Sequence, residues 1–592
     1  MRSDLDWVSI TDFRPGIVSA AGHIVGEAVG GALGTADFDG TYGCMASPTG
    51  ALVPLPPLAA DYTRAKLGIS GVTTYGVTPY LFGPKINVTG SRPDYPAPGG
   101  AVGPGPPGQK PYPFELWIAF HGSTSGGDTY YRLVRDRVYD SSTFTPTGSA
   151  VHRSFGPLTD AKDLHTATFF DSVRLTNATP TLVGAPLVMA SWYQAKATGG
   201  SLGSSFTQAF PDPQGVVGAG GYAFPAQFAG PIFAHQNRLV CLQRRGEWVT
   251  GYVTDGNDGG ANPTVKSNEV ARWTKPNEIA LDAATGTVFT PDNVIGYGAW
   301  ASVTASDLLL VKHYGGAVLI QGDLNAPIVR SLRAVASTHG TEQVGAMTPI
   351  GFVYGQRGGG IYAWQGEDGA MPLSPQMHSN FWHPTQYDAD TKLYDYGGRF
   401  AHWQNLILVP GGFVYDTINQ SWWQLEKYNA TGSDRPFSYL VDPLGGYFLA
   451  ATLSATEGAT NFNAGWMRLY DPYISGSNRS EMQWTSQPIR VPLADRQANV
   501  REVIVEFVGN ASPLPTFTVT LFQGDATVSV AQVPAAATVG IARFDIATPT
   551  QLADPFIRIR LNLNDASGLT TVPVIRAIHI GFKRGQHVRR SS

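Results

Sequence analysis

The feature that most restricts what this chain can fold into is a recurring pair of short apolar segments on either side of a glycine turn. Leu308-Leu309-Leu310-Val311 and Ala317-Val318-Leu319-Ile320 flank Gly315-Gly316. Ile350-Gly351-Phe352-Val353-Tyr354 and Ile361-Tyr362-Ala363-Trp364 flank Gly358-Gly359-Gly360. Leu406-Ile407-Leu408-Val409 and Phe413-Val414-Tyr415-Asp416 flank Pro410-Gly411-Gly412, and Ser421-Trp422-Trp423-Gln424-Leu425 follows. Tyr439-Leu440-Val441 and Tyr447-Phe448-Leu449 surround Gly445-Gly446, leading to Gly465-Trp466-Met467-Arg468-Leu469-Tyr470-Asp471. A single hairpin buries too little apolar surface to stand alone, so units of this kind must stack on one another. Their spacing brackets the roughly 40 to 50 residues of a four-stranded propeller blade. Less regular units open near Leu116, Thr166 and Ile232. The reading is a β-propeller of six or seven blades over residues 115–475.

From residue 484 the pattern changes to period-two alternation. Phe517, Val519 and Leu521 alternate with Thr516, Thr518 and Thr520, and Ile557, Ile559, Leu561 and Leu563 alternate with Arg558, Arg560, Asn562 and Asn564. Val503, Val505 and Phe507 interleave with Glu502 and Glu506, and Ile578, Ile580 and Phe582 close the series. One buried and one wet face per strand predicts a β-sandwich platform over 484–592. Residues 1–60 read as an N-terminal arm or platform element. There Ile17, Val18, Ala21, Ile24, Val25, Ala28 and Val29 have helical spacing, while Gly16, Gly22, Gly26, Gly30 and Gly31 favour an extended arm. Residues 61–114 form a connecting region, in which the prolines and glycines of 84–114 predict a surface loop with neither a helix nor a central strand. The fold class is all-β. Gly (69) and Pro (43) exceed their usual shares of roughly 7% and 5%, and charged residues are only 15% of 592. That composition fits short strands, tight turns and surface buried against neighbours.

Several chemistries are disfavoured. A formal net charge of −4 without a long basic run argues against gripping nucleic acid through its phosphates. The basic end, Phe582-Lys583-Arg584 to Arg589-Arg590, reads as a solvated terminus. Two cysteines, Cys44 and Cys241, cannot build a disulfide framework or a structural zinc site by themselves. No apolar run approaches the roughly 20 residues of a membrane span. Met1–Trp7 carries no leader pattern, which predicts synthesis in a cytoplasm. Gly199-Gly200-Ser201-Leu202-Gly203 matches the spacing of a nucleophile elbow, but Lys196-Ala197-Thr198 stands where an apolar strand belongs, so it reads as a loop. Asp255-Gly256-Asn257-Asp258-Gly259-Gly260 suggests a calcium loop, yet Lys266 replaces the bidentate Glu, and a hairpin tip is the better reading. The histidines show no metal-ligand spacing. Glu367, Asp368, Asp388 and Asp390 are candidates for a glycosidase acid–base pair, and Trp422-Trp423, Trp382 and Trp466 for sugar stacking, with aromatic core the simpler role. No catalytic, metal or cofactor residue is assigned, and the expectation is a non-enzyme without cofactors.

The segment Ser9-Ile10-Thr11-Asp12-Phe13-Arg14-Pro15-Gly16-Ile17 resembles the opening of large structural proteins of actinobacterial phages. The stretch from Gly43-Cys44-Met45-Ala46-Ser47-Pro48 through Gly50-Ala51-Leu52-Val53-Pro54-Leu55-Pro56 resembles their next element. Phe233-Ala234-His235-Gln236-Asn237-Arg238-Leu239-Val240, the Ile361–Trp364 hairpin and Trp484-Thr485-Ser486-Gln487-Pro488-Ile489 are similar to segments of tail hub or nozzle proteins of short-tailed phages. The resemblance covers most of the chain thinly and rests on framework motifs. It implies a virion tail subunit, assembled in the host cytoplasm into a ring, commonly a hexamer, beside the portal, adaptor and other tail proteins. DNA would pass through the lumen without specific binding. The sandwich and the arm would then meet neighbouring subunits, with Phe13, Arg14, Pro15, Arg558 and Arg560 as expected interface residues. A host-surface binding propeller and a propeller glycoside hydrolase are the alternatives.

Overall fold

The structure, a computed structural model, describes residues 5–18, 36–37, 40–55, 59–62, 80–82, 110–123, 129–140, 151–155, 164–169, 172–177, 190–193, 206–208, 232–242, 269–273, 287–289, 300–302, 307–311, 317–332, 345–356, 360–365, 370–373, 400–409, 412–425, 435–441, 448–453, 463–467, 482–490, 498–509, 514–523, 540–546, 551–552, 556–565 and 573–584. Among these residues the chain is all-β, built from several antiparallel sheets.

Seven four-stranded sheets succeed one another among the described residues, the first six pairing their strands in sequence order. The first uses Tyr80–Phe82, Lys110–Ser123, Thr129–Asp140 and Val151–Phe155. The second spans Leu164–Phe169 to Phe206–Gln208, the third Ile232–His235 to Thr287–Phe289, and the fourth Trp300–Ser302 to Ile328–Leu332. The fifth runs from Ala346–Thr348 to Ala370–Pro372 and the sixth from Ala401–Trp403 to Ser421–Gln424. The seventh takes Arg435–Val441, Phe448–Leu453 and Asn463–Met467, and is completed by Ala59–Tyr62 from far upstream. Opening strands lie side by side from first sheet to second, second to third, fourth to fifth, fifth to sixth and sixth to seventh. Arg435–Val441 also lies against Tyr80–Phe82, so the seventh sheet returns to the first.

Local chemistry sets the turns. His235 faces Arg238 across a two-residue tip, and Gln236 and Asn237 both take φ near +50° (48° and 55°), a conformation tight hairpins require. At Gly351 φ is +117° and a β-carbon would meet the Trp364 carbonyl oxygen at 2.1 Å, so only glycine fits. In the sixth sheet Asp416, wholly buried, accepts from the Ile418 amide (2.9 Å), Asn419 Nδ2 (2.6 Å) and Asn405 Nδ2 (2.8 Å). One carboxylate thereby ties both turns at that end of the sheet.

The expectation of a loop through residue 114 is corrected at its end. Lys110–Ser123 has a partner strand on each side, and its register with Thr129–Asp140 breaks between Pro111 and Glu115. The bulge lets prolines enter an inner strand where the ladder is already interrupted. The first sheet likewise begins at Tyr80, upstream of the expected 115.

The C-terminal strands form two more sheets. One is seven-stranded: Ile541–Asp545, Ala498–Val508, Val574–Arg584, Leu52–Pro54 and Cys44–Ala46 in order, with Asp6–Ile10 beside Val574–Arg584 and Gln551–Leu552 beside Ala498–Val508. The other joins Met482–Thr485, Phe556–Asp565, Ile489–Arg490 and Thr516–Gln523. Val503, Val505, Phe507, Ile578 and Ile580 from the first share a core with Phe517, Leu521, Ile559 and Leu561 from the second. The Phe507 and Phe517 rings meet at 5.2 Å between centroids. Asp6–Ile10 is a strand of this sheet, and Val8 and Ile10 bury their side chains in its core. Ile17–Val18 pairs in parallel with Ala36–Asp37; the rest of the helix-spaced stretch lies outside the described residues.

Candidate interaction surfaces

The expected interface residues fall at two places. In the Asp12–Gly16 turn, the Phe13 amide donates to the Gly50 carbonyl (2.9 Å) and the Phe13 ring is wholly buried, edge-on to Trp484 at 5.2 Å. That ring belongs to the chain's own core and offers no surface to a neighbour. Arg14 is exposed and forks onto Asp12, its Nε at 2.9 Å from Oδ1 and its Nη2 at 2.7 Å from Oδ2. The Arg14 hydrogen bond holds the Asp12 carboxyl below its ordinary range and raises the guanidinium in turn. Pro15 is partly buried.

Arg558 and Arg560 stand on the outer face of the four-stranded sheet, where alternation puts them opposite the core. Both guanidiniums lie over the Phe522 ring, at 5.8 Å and 4.7 Å from its centroid. Arg558 Nη1 reaches Asp37 Oδ2 at 2.9 Å, while Arg560 Nε donates to Thr485 Oγ1 at 3.2 Å. The Thr485 hydroxyl in turn donates a hydrogen bond to the Gly40 carbonyl at 2.7 Å. Burial, and to a lesser degree Arg558, lowers the Arg560 pKa; Tyr42 and Asp37 oppose this.

A polar row on the outer face of the seven-stranded sheet escaped sequence reading. Ser9 Oγ is 2.7 Å from His579 Nδ1, and His579 Nε2 is 3.2 Å from Glu506 Oε1. Ser9 and His579 are cross-strand partners 570 positions apart, so no spacing could reveal them. The row has the residue types of a hydrolase triad. Val574–Arg584 is paired on both flanks here, which commits its backbone donors to the ladders. The row's Ser9–His579 contact ties the N-terminal strand to Val574–Arg584, and the Glu506 contact ties that strand to Ala498–Val508. Beside it Arg543 Nε pairs with the buried Glu502 carboxylate at 2.7 Å.

Exposed large apolar side chains gather at one end of three successive sheets. Ile328 opens the last strand of the fourth, Met347 and Met371 flank the turns of the fifth, and Ile418 tips the sixth. Strand order places these positions at the same end of each sheet. Trp422 and Trp423 are wholly buried, with Trp422 Nε1 donating to the Leu373 carbonyl (2.8 Å), so neither ring can stack on a sugar. Residues 199–203 and 255–260, with Glu367, Asp368, Asp388, Asp390 and Trp382, lie outside the described residues. Among the described residues no group of His, Cys, Asp or Glu could hold a metal ion, and no helix is long and apolar enough to cross a membrane.

No protein-family model matches this chain, and no curated protein matches it. Solved structures with some likeness include an exo-β-1,3-galactanase from Phanerochaete chrysosporium, at 9% identity, covering 79% of this chain and 78% of that one, with a TM-score of 0.20. The tomato aspermy virus structure covers 20% of this chain and 88% of its own at 14% identity and a TM-score of 0.10. The insecticidal δ-endotoxin Cry8Ea1 from Bacillus thuringiensis covers 48% and 51% at 13% identity and a TM-score of 0.13. Likenesses this distant carry no argument about function.

Proposed function

We propose that this chain is a non-enzymatic structural subunit of a phage tail, of the hub or nozzle kind, that closes into a ring around the path of the genome. In this reading the seven successive sheets are the blades of a propeller, which Ala59–Tyr62 latches shut. The two C-terminal sheets are a sandwich platform that meets neighbouring subunits and, through the ring, the portal, adaptor and other tail proteins. The observation that carries the reading is where the segments resembling tail proteins meet. Phe13 of the first packs on Trp484 of the last, its amide binds Gly50 of the second, and Tyr42 and Gln483 exchange backbone hydrogen bonds at 2.8 and 3.0 Å. Three framework motifs, two near the start of the sequence and one hundreds of residues further on, thus build one joint, as segments kept for architecture would. The modest acidic charge fits a lumen that lets DNA slide.

Native mass spectrometry of the full chain, with negative-stain imaging, tests this. Rings with a central hole, alone or with virion tail components, are the expected result. A monomer that never assembles under either condition overturns it. A second reading, a host-surface binding module, is favoured by Ile328, Met347, Met371 and Ile418 exposed at one end of neighbouring sheets. Loss of adsorption to host cells on changing those four to Ser, with assembly intact, would support that role.

A further inference from the structure

Register holds three chemically reactive groups together on the outer face of the seven-stranded sheet. Ser9 and His579 stand directly opposite each other, with Ser9 Oγ 2.7 Å from His579 Nδ1, and His579 Nε2 lies 3.2 Å from Glu506 Oε1. A carboxylate only accepts, so the Glu506 contact favours the hydrogen on Nε2 and leaves Nδ1 to accept from the Ser9 hydroxyl. Nε2 is buried and meets no other acceptor among the described residues, so no second partner competes for that tautomer. His579 is 6% exposed, whereas Ser9 is partly open to solvent. A base shielded from water thus adjoins a hydroxyl that a reagent can reach. An apolar wall stands beside them. A β-carbon on Gly581 would lie 2.9 Å from Leu5 Cδ1 and 3.0 Å from Trp7 Cη2, so both side chains fold across Gly581 on the face that carries Ser9 and His579.

We infer that Ser9 is a covalent modification site, a nucleophile that takes an apolar acyl group from an activated ester. His579 Nδ1 removes the hydroxyl proton as Oγ bonds to the acyl carbon. The ester C–O bond then breaks, and the same proton leaves with the departing alkoxide. Glu506 is a positioning residue: it holds the tautomer of the ring and touches no reagent. A nucleophile, a base within hydrogen-bond reach of it and a third group orienting the base are what such activation requires. Trp7 and Leu5 offer the acyl chain an apolar surface, which favours an alkyl over a charged acyl group. Such a modification requires no ring, so it is independent of the tail reading.

The test treats the full-length chain with para-nitrophenyl butyrate, following nitrophenol release and locating the butyryl group by peptide mass spectrometry. A burst of a single equivalent per chain, with the adduct on Ser9, is the expected result. Ser9→Ala should abolish the burst. His579→Gln keeps a hydrogen-bonding side chain without a base, and should slow the burst about a hundredfold. Glu506→Gln should slow it several-fold and Glu506→Asp should restore most of the rate, a rescue that a purely structural role would not give. Circular dichroism checks that each variant is folded; if one is not, the position of the adduct on the wild-type chain decides. Butyryl groups spread over lysines and other serines without enrichment on Ser9 overturn the inference, and so does a burst that is unchanged in His579→Gln. Release that continues past one equivalent keeps Ser9 as the nucleophile and overturns the non-enzymatic part of the tail reading instead.

Discussion

Two seams in this molecule join parts distant in sequence, and they are made of different material. Where the sixth sheet meets the C-terminal sheets, the contact is dry. Trp422, Trp423, Trp484 and Phe13 are all wholly buried in one continuous core, with Gly43 N donating to the Gln424 carbonyl at 3.0 Å. Where the third sheet meets the fourth, the contact is polar. The Gln236 side chain donates to the Gly322 carbonyl (2.9 Å) and accepts from the Leu324 amide (3.1 Å), while Arg238 Nη2 donates to Asn325 Oδ1 (2.6 Å). Large buried rings contribute in proportion to area, whereas hydrogen bonds exchange with water and contribute about 1 kcal/mol net each. The dry seam should therefore fuse the sixth sheet and the C-terminal unit into one cooperative body. The polar seam should set alignment more than stability.

Trp484→Ala attacks the dry seam directly. Its loss is expected to cost about 3–5 kcal/mol, read as a lower urea midpoint for the C-terminal unit and the sixth sheet together. A double-mutant cycle with Phe13→Ala should show about 0.5–1.5 kcal/mol of coupling from the edge-on pair. If the sixth sheet keeps its midpoint while the C-terminal unit loses its own, the two are not one body.

Gly16→Ala presses on the same seam through the backbone. Gly16 takes φ +67°, and a β-carbon there would lie 2.6 Å from Ser421 Cβ and 2.8 Å from the Trp422 carbonyl oxygen. Left-handed strain and the clash with a strand that cannot retreat predict a loss of about 2–4 kcal/mol. A midpoint within error of wild type would mean the seam is loose enough to part.

Gln236→Ala tests the polar seam, and the expected loss is about 1 kcal/mol, because water can replace part of what the amide provided. Hydrogen exchange should quicken locally over 322–332 and leave the sixth sheet untouched. Exchange that quickens across both seams would show that the polar contact carries more than alignment.

The hairpins of the second half were legible because glycine turns and apolar runs repeat there: Leu308–Val311 with Ala317–Gln321, and Leu406–Val409 with Phe413–Asp416, are paired strands. Period-two alternation likewise marked Thr516–Gln523 and Phe556–Asp565. Ala59–Tyr62 was not legible. Its sequence, Ala-Ala-Asp-Tyr, has no alternation, and its partner strand Asn463–Met467 lies about 400 residues downstream, beyond the reach of any local pattern. The Ser9–His579–Glu506 row and the Arg560 stack were hidden for the same reason, since register, not sequence spacing, brings their members together. The resemblance places Phe13 at a subunit interface, but nothing in the local sequence Asp-Phe-Arg-Pro-Gly shows that the turn aims that one ring inward, where it is wholly buried.

That turn supplies the smallest test. The Asp12 carboxylate accepts from the Arg14 amide at 3.0 Å as well as from its side chain, closing the loop that delivers Phe13 to the dry seam. The Arg14 hydrogen bond lowers the folded-state pKa from the ordinary 3.8, so the contribution is present above that value and is lost as pH falls through the lowered one. Because the pair is exposed, solvent and salt screen most of it. The melting temperature of Asp12→Asn should lie slightly below wild type at pH 7, and the gap should close as pH falls below 3.8. It should also narrow at 0.5 M salt, roughly one Debye length being then shorter than the spacing to other charges. A gap that widens on acidification would mean that Asp12 is stabilised by its protonated form, and the fork would not be what holds Phe13 against Trp484.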